Sequence, residues 1–261
     1  MPWTFAHPAA VLPLRRLGPL RLNLAALAIG SLTPDFGYYV FRLQGSAFAH
    51  SFTGSLTVCL AVGLVLLTCC CVLRRPVCYM LPQPHRDALM PLADARWRLD
   101  KPTVAVAVVS IVVGAWTHIL WDSFTHVDRW FVDHIAWLRL QVMSIRGHVL
   151  YGYSLLQHLS SVLGGCLLLW YYWSWLRGAN RNRSWRLIER ADAWRYACIL
   201  GAAALAVLVA VPWAFKAAVG ADGLFWLRVF VVRSIVGSTS IFGACFVLTA
   251  VICYSRRPRA P

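Results

Sequence analysis

Apolar residues run in long blocks along this chain, and charged residues are confined to the gaps between them. Uninterrupted stretches occur at Ser51 to Leu73, Thr103 to Trp121, Gly152 to Leu176, Tyr196 to Phe215 and Val229 to Tyr254. An α-helix needs roughly 20 residues to cross about 30 Å of hydrocarbon, so these blocks predict membrane-spanning helices. A further stretch, Leu22 to Phe41, is interrupted by Gly30, Pro34 and Asp35, which predicts a broken or re-entrant helix in place of a straight span. The predicted fold class is therefore all-α: a polytopic integral membrane helical bundle with five transmembrane helices and a possible sixth, broken N-terminal one. No polar segment is long enough to build a core of its own. Residues 1–165 are read as the region carrying the chemistry and residues 166–261 as C-terminal membrane helices of the same structural domain.

Composition agrees with this pattern. Hydrophobic residues make up 59% of the chain and charged residues 13%, against about half and about a quarter in an average soluble domain. The net charge of +15 would point to nucleic acid if it formed one soluble patch, but the basic residues sit in loops. Arg74, Arg75, Arg86, Arg96, Arg98 and Lys101 lie between the first two spans. Arg177, Arg181, Arg183, Arg186, Arg190 and Arg195 lie between the third and fourth, and Arg256, Arg257 and Arg259 follow the fifth. Alternate loops of this kind mark the cytoplasmic side and touch anionic lipid. Membrane lipids are thus the expected partners and nucleic acid is not. The loops Asp122 to Leu150 and Lys216 to Arg228 then face outward, the first as a flexible connection. In the cytoplasmic loop Arg74 to Pro102, five prolines predict a turn-rich connection with room for one short surface helix. The segment Arg177 to Arg195, with Trp185 and Trp194, suits the headgroup layer. The nine cysteines fall mainly within apolar spans without a CxxC pair and read as small apolar filler. The first residues lack the pattern of a cleavable signal peptide.

Against this background a few polar residues stand out. In Trp116 to His126, the ligands His118, Asp122 and His126 follow one another at steps of four, which places them on one face of a continuing helix. Carboxylates and imidazoles near hydrocarbon are costly, so such a cluster reads as functional. Asp35, preceded by Pro34, suits either a helix N-terminus or a buried site. His7, His50 and His158 each have a plain alternative: an N-terminal anchor, an interfacial histidine and a backbone-bonded histidine respectively. Together, however, the arginine-derived topology puts His50, His118, Asp122, His126 and His158 near one outward side. Nitrogen and oxygen ligands without thiolate suit a divalent metal, zinc foremost, with manganese or iron as alternatives. A metal there would lower the pKa of a bound water and polarise a phosphoryl or carbonyl oxygen.

These motifs carry a resemblance. Met1 to Leu14, Gly30 to Tyr39, Ala49-His50-Ser51-Phe52, Thr117 to His126 and Leu156 to Ser161 resemble a bacterial multi-pass membrane family known as domain of unknown function 4184. Its order of polar residues is distantly similar to that of membrane-bound metal-dependent hydrolases related to zinc phospholipase C. The parallel runs through His7, Pro34-Asp35, His50 and the His-x-x-x-Asp pair His118 and Asp122. The resemblance implies a phosphoesterase-like site in a bacterial cytoplasmic membrane. The chain departs from the soluble pattern after Asp122: no later His-x-x-x-Glu pair follows, and the only glutamate, Glu189, lies in a basic loop. A full three-metal cluster is not implied.

The expectation is a metal-dependent hydrolase acting on a lipid or another amphiphile at headgroup level. The metal ligands would be His7, Asp35, His50, His118 and Asp122. Asp122 would also orient the nucleophile, His126 or His158 would serve as base or further ligand, and Gln157 would hold an oxyanion. Two rivals remain: an ion or proton transporter, and a structural membrane protein whose polar groups only tie helices together. A complete crossing by Leu22 to Phe41 would keep His7 away from His118, whereas a re-entrant path would let it join.

Overall fold

The structure is a computed structural model and describes residues 3–16, 22–40, 47–95, 100–145, 148–180, 190–220 and 223–257. The Trp185 headgroup segment and Arg96, Arg98 and Arg259 lie outside the described residues. Short helices α1 (Pro8–Val11), α2 (Leu24–Gly30) and α3 (Phe36–Val40) precede the first long one. That is α4, Phe52–Met80, followed by α5 (His85–Asp94), α6 (Lys101–Thr125) and α7 (Trp130–His134). An antiparallel ribbon of β1 (Gln141–Ile145) and β2 (His148–Tyr151) leads into α8 (Gly152–Ala179), α9 (Ala193–Ala218) and α10 (Gly223–Ser255). Among the described residues, five helical segments are long and apolar enough to cross a membrane, and the protein is a multi-pass membrane protein.

Their boundaries extend the expected blocks by a few residues. Helix α4 continues through Arg74, Arg75 and Pro76 to Met80, and α5 adds a second helix where a turn-rich connection was expected. The loop after Asp122, expected to be a flexible connection, is folded: Val132 and Leu138 are buried within it and the two strands pair.

By packing, the chain forms two compact units, one of residues 1–37, 43–69 and 98–174 and the other of residues 38–42, 70–97 and 175–261. In the second, α9 and α10 form a hairpin. Ala202, Ala206, Ala210, Ala214 and Ala218 recur at four-residue steps and are all buried. Small side chains at this spacing let helix backbones approach closely, so these alanines form a packing seam. Two basic residues of this unit also take part in its packing. Asp192, almost wholly buried, accepts from Arg195 Nη1 at 2.7 Å, Arg86 Nη1 at 3.1 Å and the Gln83 backbone N–H at 2.7 Å. Arg195 also donates to the Tyr79 carbonyl and lies over the Trp194 ring at 4.3 Å.

In the first unit the broken N-terminal helix governs where the polar groups sit. Helix α2 has seven residues, about 10 Å of rise, far short of a bilayer. Asn23 caps its start by accepting from Ala26 N, and Ser31 ends it. The freed Gly30 carbonyl accepts from Thr33 Oγ1 at 2.8 Å. Pro34 then begins the next turn, where its missing N–H costs nothing. The break is buried, as interrupted backbone at membrane depth must be. Helix α2 lies directly on α6: a Cβ at Gly30 would overlap the Ile111 carbonyl, and one at Gly114 would overlap the Leu27 carbonyl. Glycine at both positions brings the two backbones into contact and sets the height of Ser31 and Asp35 against His118 and Asp122.

Candidate metal centre

Three elements bring ligands to one point. Helix α6 supplies His118 and Asp122, one turn apart on its buried face. The broken turn after α2 supplies Asp35. His50 comes from the turn before α4, which Ser51 caps by accepting from Gly54 N at 3.0 Å. Glycine at 54 admits that turn against the helix, since a Cβ would overlap the Phe48 carbonyl. The helix then widens into a π-helical stretch, Ser55–Cys59, and Cys59 Sγ donates to the Ala49 carbonyl. Such stretches recur at functional sites.

The ligand atoms are spaced as around one cation. His50 Nε2 lies 3.4 Å from Asp35 Oδ1 and 3.4 Å from Asp122 Oδ2. His118 Nε2 lies 3.2 Å from Asp122 Oδ2 and 3.7 Å from Asp35 Oδ1. One ligand atom from each of these residues falls within 4.8 Å of all the others. Around a tetrahedral zinc with bonds of about 2.0–2.1 Å, neighbouring ligand atoms stand roughly 3.3 Å apart.

His118 shows what kind of neighbour is called for. Its Nδ1–H donates to the Ser31 carbonyl at 2.8 Å, so in the neutral ring Nε2 carries a lone pair. That atom is fully buried, faces two carboxylates and has no hydrogen-bond partner among the described residues. A lone pair opposed to carboxylate oxygens is repulsive until a proton or a metal cation lies between them. Donation of the other ring nitrogen to a backbone carbonyl is how metal-binding histidines are oriented. Asp35 is braced in the same way, with its Oδ2 accepting from Thr4 Oγ1 at 2.6 Å. The carboxylates' demand for positive charge is plain at His50: burial alone would lower its pKa, but Asp122 and Asp35 outweigh it and raise it to about 9.

The remaining expected residues divide. His7 is brought in: Trp3 N donates to Ser161 Oγ at 3.0 Å, and the His7 ring stacks on His118 at 3.8 Å. Its Nε2 lies 3.4 Å from Asp122 Oδ1 and its Nδ1 lies 3.2 Å from the Thr4 carbonyl. Leu22 to Phe41 therefore does not keep His7 away from His118, and His7 stands against the outer oxygen of Asp122. His126 caps α6, with Nδ1 3.4 Å from that same Oδ1 and Nε2 3.4 Å from Gln157 Nε2. Its side chain is 29% exposed, against 7% or less for the other ligands. His158 is not brought in: its ring is exposed and Nδ1 donates to the Ser154 carbonyl of its own helix at 2.6 Å. It follows Gln157 by one residue, so it projects about 100° round the helix from it.

Sequence reasoning missed Thr4 and Ser31, the two groups that orient ligands. Their only signal was position, Thr4 one turn before His7 and Ser31 just before Pro34-Asp35. Replacing Thr4 by valine should weaken metal binding by about 10–100-fold, the usual effect of losing an outer-shell partner, with helicity unchanged. His158→Ala should leave affinity unaltered. Competition with a chromogenic chelator measures both.

A family model described as domain of unknown function (DUF4184) matches residues 1–255. The chain belongs to that family. No curated protein and no solved structure matches it.

Proposed function

We propose that this member of a family without assigned function is a membrane-embedded, metal-dependent hydrolase. Its substrate would be a phosphoester of a lipid or another amphiphile at headgroup level, and its setting the outer face of a bacterial cytoplasmic membrane. One observation carries the reading: His118 Nε2, fully buried and without a hydrogen-bond partner among the described residues, shares a point with His50 Nε2, Asp35 Oδ1 and Asp122 Oδ2. Asp35, His50, His118 and Asp122 would hold the ion, with zinc favoured by the nitrogen and oxygen set. A bound divalent cation supplies a water of lowered pKa and a Lewis acid for the ester oxygen. His7 holds Asp122 in place from its outer oxygen. His126, the one partly open member, accepts a proton at the site's edge, and Gln157 orients its ring and offers an amide to the substrate's oxygen. Against the transport alternative, α6 does not continue the cluster: towards its start its buried residues are Ala107, Ser110, Ile111, Val112, Gly114 and Ala115, none ionisable.

The test is hydrolysis by protein in phospholipid nanodiscs, assayed on phospholipids and phosphodiesters before and after chelation. Activity should vanish with chelator and return with zinc. His126→Ala should lower kcat by about 10²–10⁴-fold, the usual range for a general base, while metal content stays the same. Metal-loaded protein inert on every ester tried would refute the hydrolase reading and leave a binding site.

A further inference from the structure

The outward ribbon has an apolar exterior that its own core does not use. Val132 and Leu138 fill the inside of this segment. Trp137, Leu140, Val142, Met143, Val149 and Tyr151 remain exposed, from 38% for Val149 and Tyr151 to 61% for Leu140. Met143 pairs with Leu150 and the next pair is Ser144 with Val149; adjacent pairs lie on opposite faces, so exposed Met143 and exposed Val149 make both faces of the ribbon apolar. A water-facing antiparallel ribbon would present one polar face, and a two-stranded hairpin is marginal in water by itself.

We infer that this ribbon lies in the interfacial layer of the bilayer and does not project into the aqueous phase. Continuity supplies the first argument. The ribbon joins the end of one spanning segment, Lys101–His134, to the start of another, Gly152–Ala179. The Gly152 N–H donates to the Leu140 carbonyl at 3.0 Å, tying the base of the ribbon to the first turn of α8. The segment therefore begins and ends at the lipid boundary. Charge supplies the second: residues 135–151 contain Arg139 and Arg146 and no acidic residue, which suits anionic headgroups. Trp137 and Tyr151 are the amphipathic rings that favour this depth. The occupant of the apolar exterior is thus phospholipid, its headgroup region against Arg139 and its upper acyl segment against Val142 and Met143. This inference needs only the spans and stands apart from the metal reading. If both hold, an amphiphile reaches His126 sideways from the lipid layer.

Photo-methionine provides the test, since the chain has only four methionines and the diazirine analogue closely preserves side-chain size. Labelled full-length protein in phosphatidylcholine–phosphatidylglycerol vesicles is irradiated and the adduct at Met143 is identified by mass. A phospholipid mass at Met143, with none at fully buried Met80, is expected. A water adduct alone at Met143 would overturn the inference by placing the ribbon in solvent. A cross-link from Met143 to peptide would overturn it too, by showing that protein covers the surface.

Discussion

Asp122→Ala should abolish metal binding, the largest loss expected of any single substitution in this protein. Its Oδ2 faces His50 and His118, and its Oδ1 faces His7 and His126. Through its two oxygens it meets four histidines at once. The loss should exceed the roughly 10–100-fold effect of an outer-shell change, leaving purified protein with background zinc by elemental analysis. Asp122→Asn keeps the shape and removes the charge, so it separates loss of ligand from loss of fold. Both variants retaining stoichiometric zinc would end the metal assignment. The intact site should bind metal in a pH-dependent way. Without a cation, His50 holds a proton up to about pH 9, and a metal must displace it because only the neutral ring is a ligand. Apparent affinity should therefore rise with pH and level off above about 9, falling roughly tenfold for each unit below if one proton competes.

Gly114→Val should be the second most damaging change, acting on the fold first and the site through it. A Cβ at this position meets the Leu27 carbonyl of α2, a backbone atom that no side-chain rotation can move away. Overpacking typically costs about 1–3 kcal/mol and occasionally more, and a rigid backbone-to-backbone contact belongs at the upper end. Lifting α2 from α6 would also draw the Ser31 carbonyl from His118 Nδ1 and Asp35 from the ligand cluster. The expected result is a lower melting temperature in detergent together with reduced metal content. Gly30→Val should behave alike, because its Cβ would meet the Ile111 carbonyl across the same seam. A control at Gly201, where a Cβ meets nothing within 4 Å, should be nearly silent. Unaltered melting and metal content in both seam variants would show that this contact does not set the site.

Some parts of the site were legible in advance for local reasons. His118 and Asp122 share a helix, so a step of four places them together without knowledge of the rest of the fold. His126 could be placed only approximately, because it lies at the cap where the helical phase ends. Asp35, His50 and His7 were legible as polar groups in apolar surroundings, but their convergence could not be computed from spacing. It depends on α2 stopping after seven residues and on the turn before α4 folding back over Gly54. His158 illustrates the reverse error. Its depth in the span matched the cluster, yet its direction round the helix did not, and a single residue's offset turned it to the exterior.

The sequence by itself determined the class of molecule and the inventory of chemistry. Crossing hydrocarbon requires long apolar blocks with satisfied backbones, which leaves a pattern readable one residue at a time. Ionisable groups are rare enough in such surroundings to be conspicuous without a structure. Only the tertiary structure decided which of them meet, which nitrogen of His118 faces the carboxylates, and which backbone carbonyl holds the other. Those are matters of ångströms set by contacts between segments distant in the chain: Gly30 on Ile111, Ser31 on His118 and Thr4 on Asp35. A linear pattern records the energetic cost of each residue, whereas the partner that offsets that cost is chosen by packing.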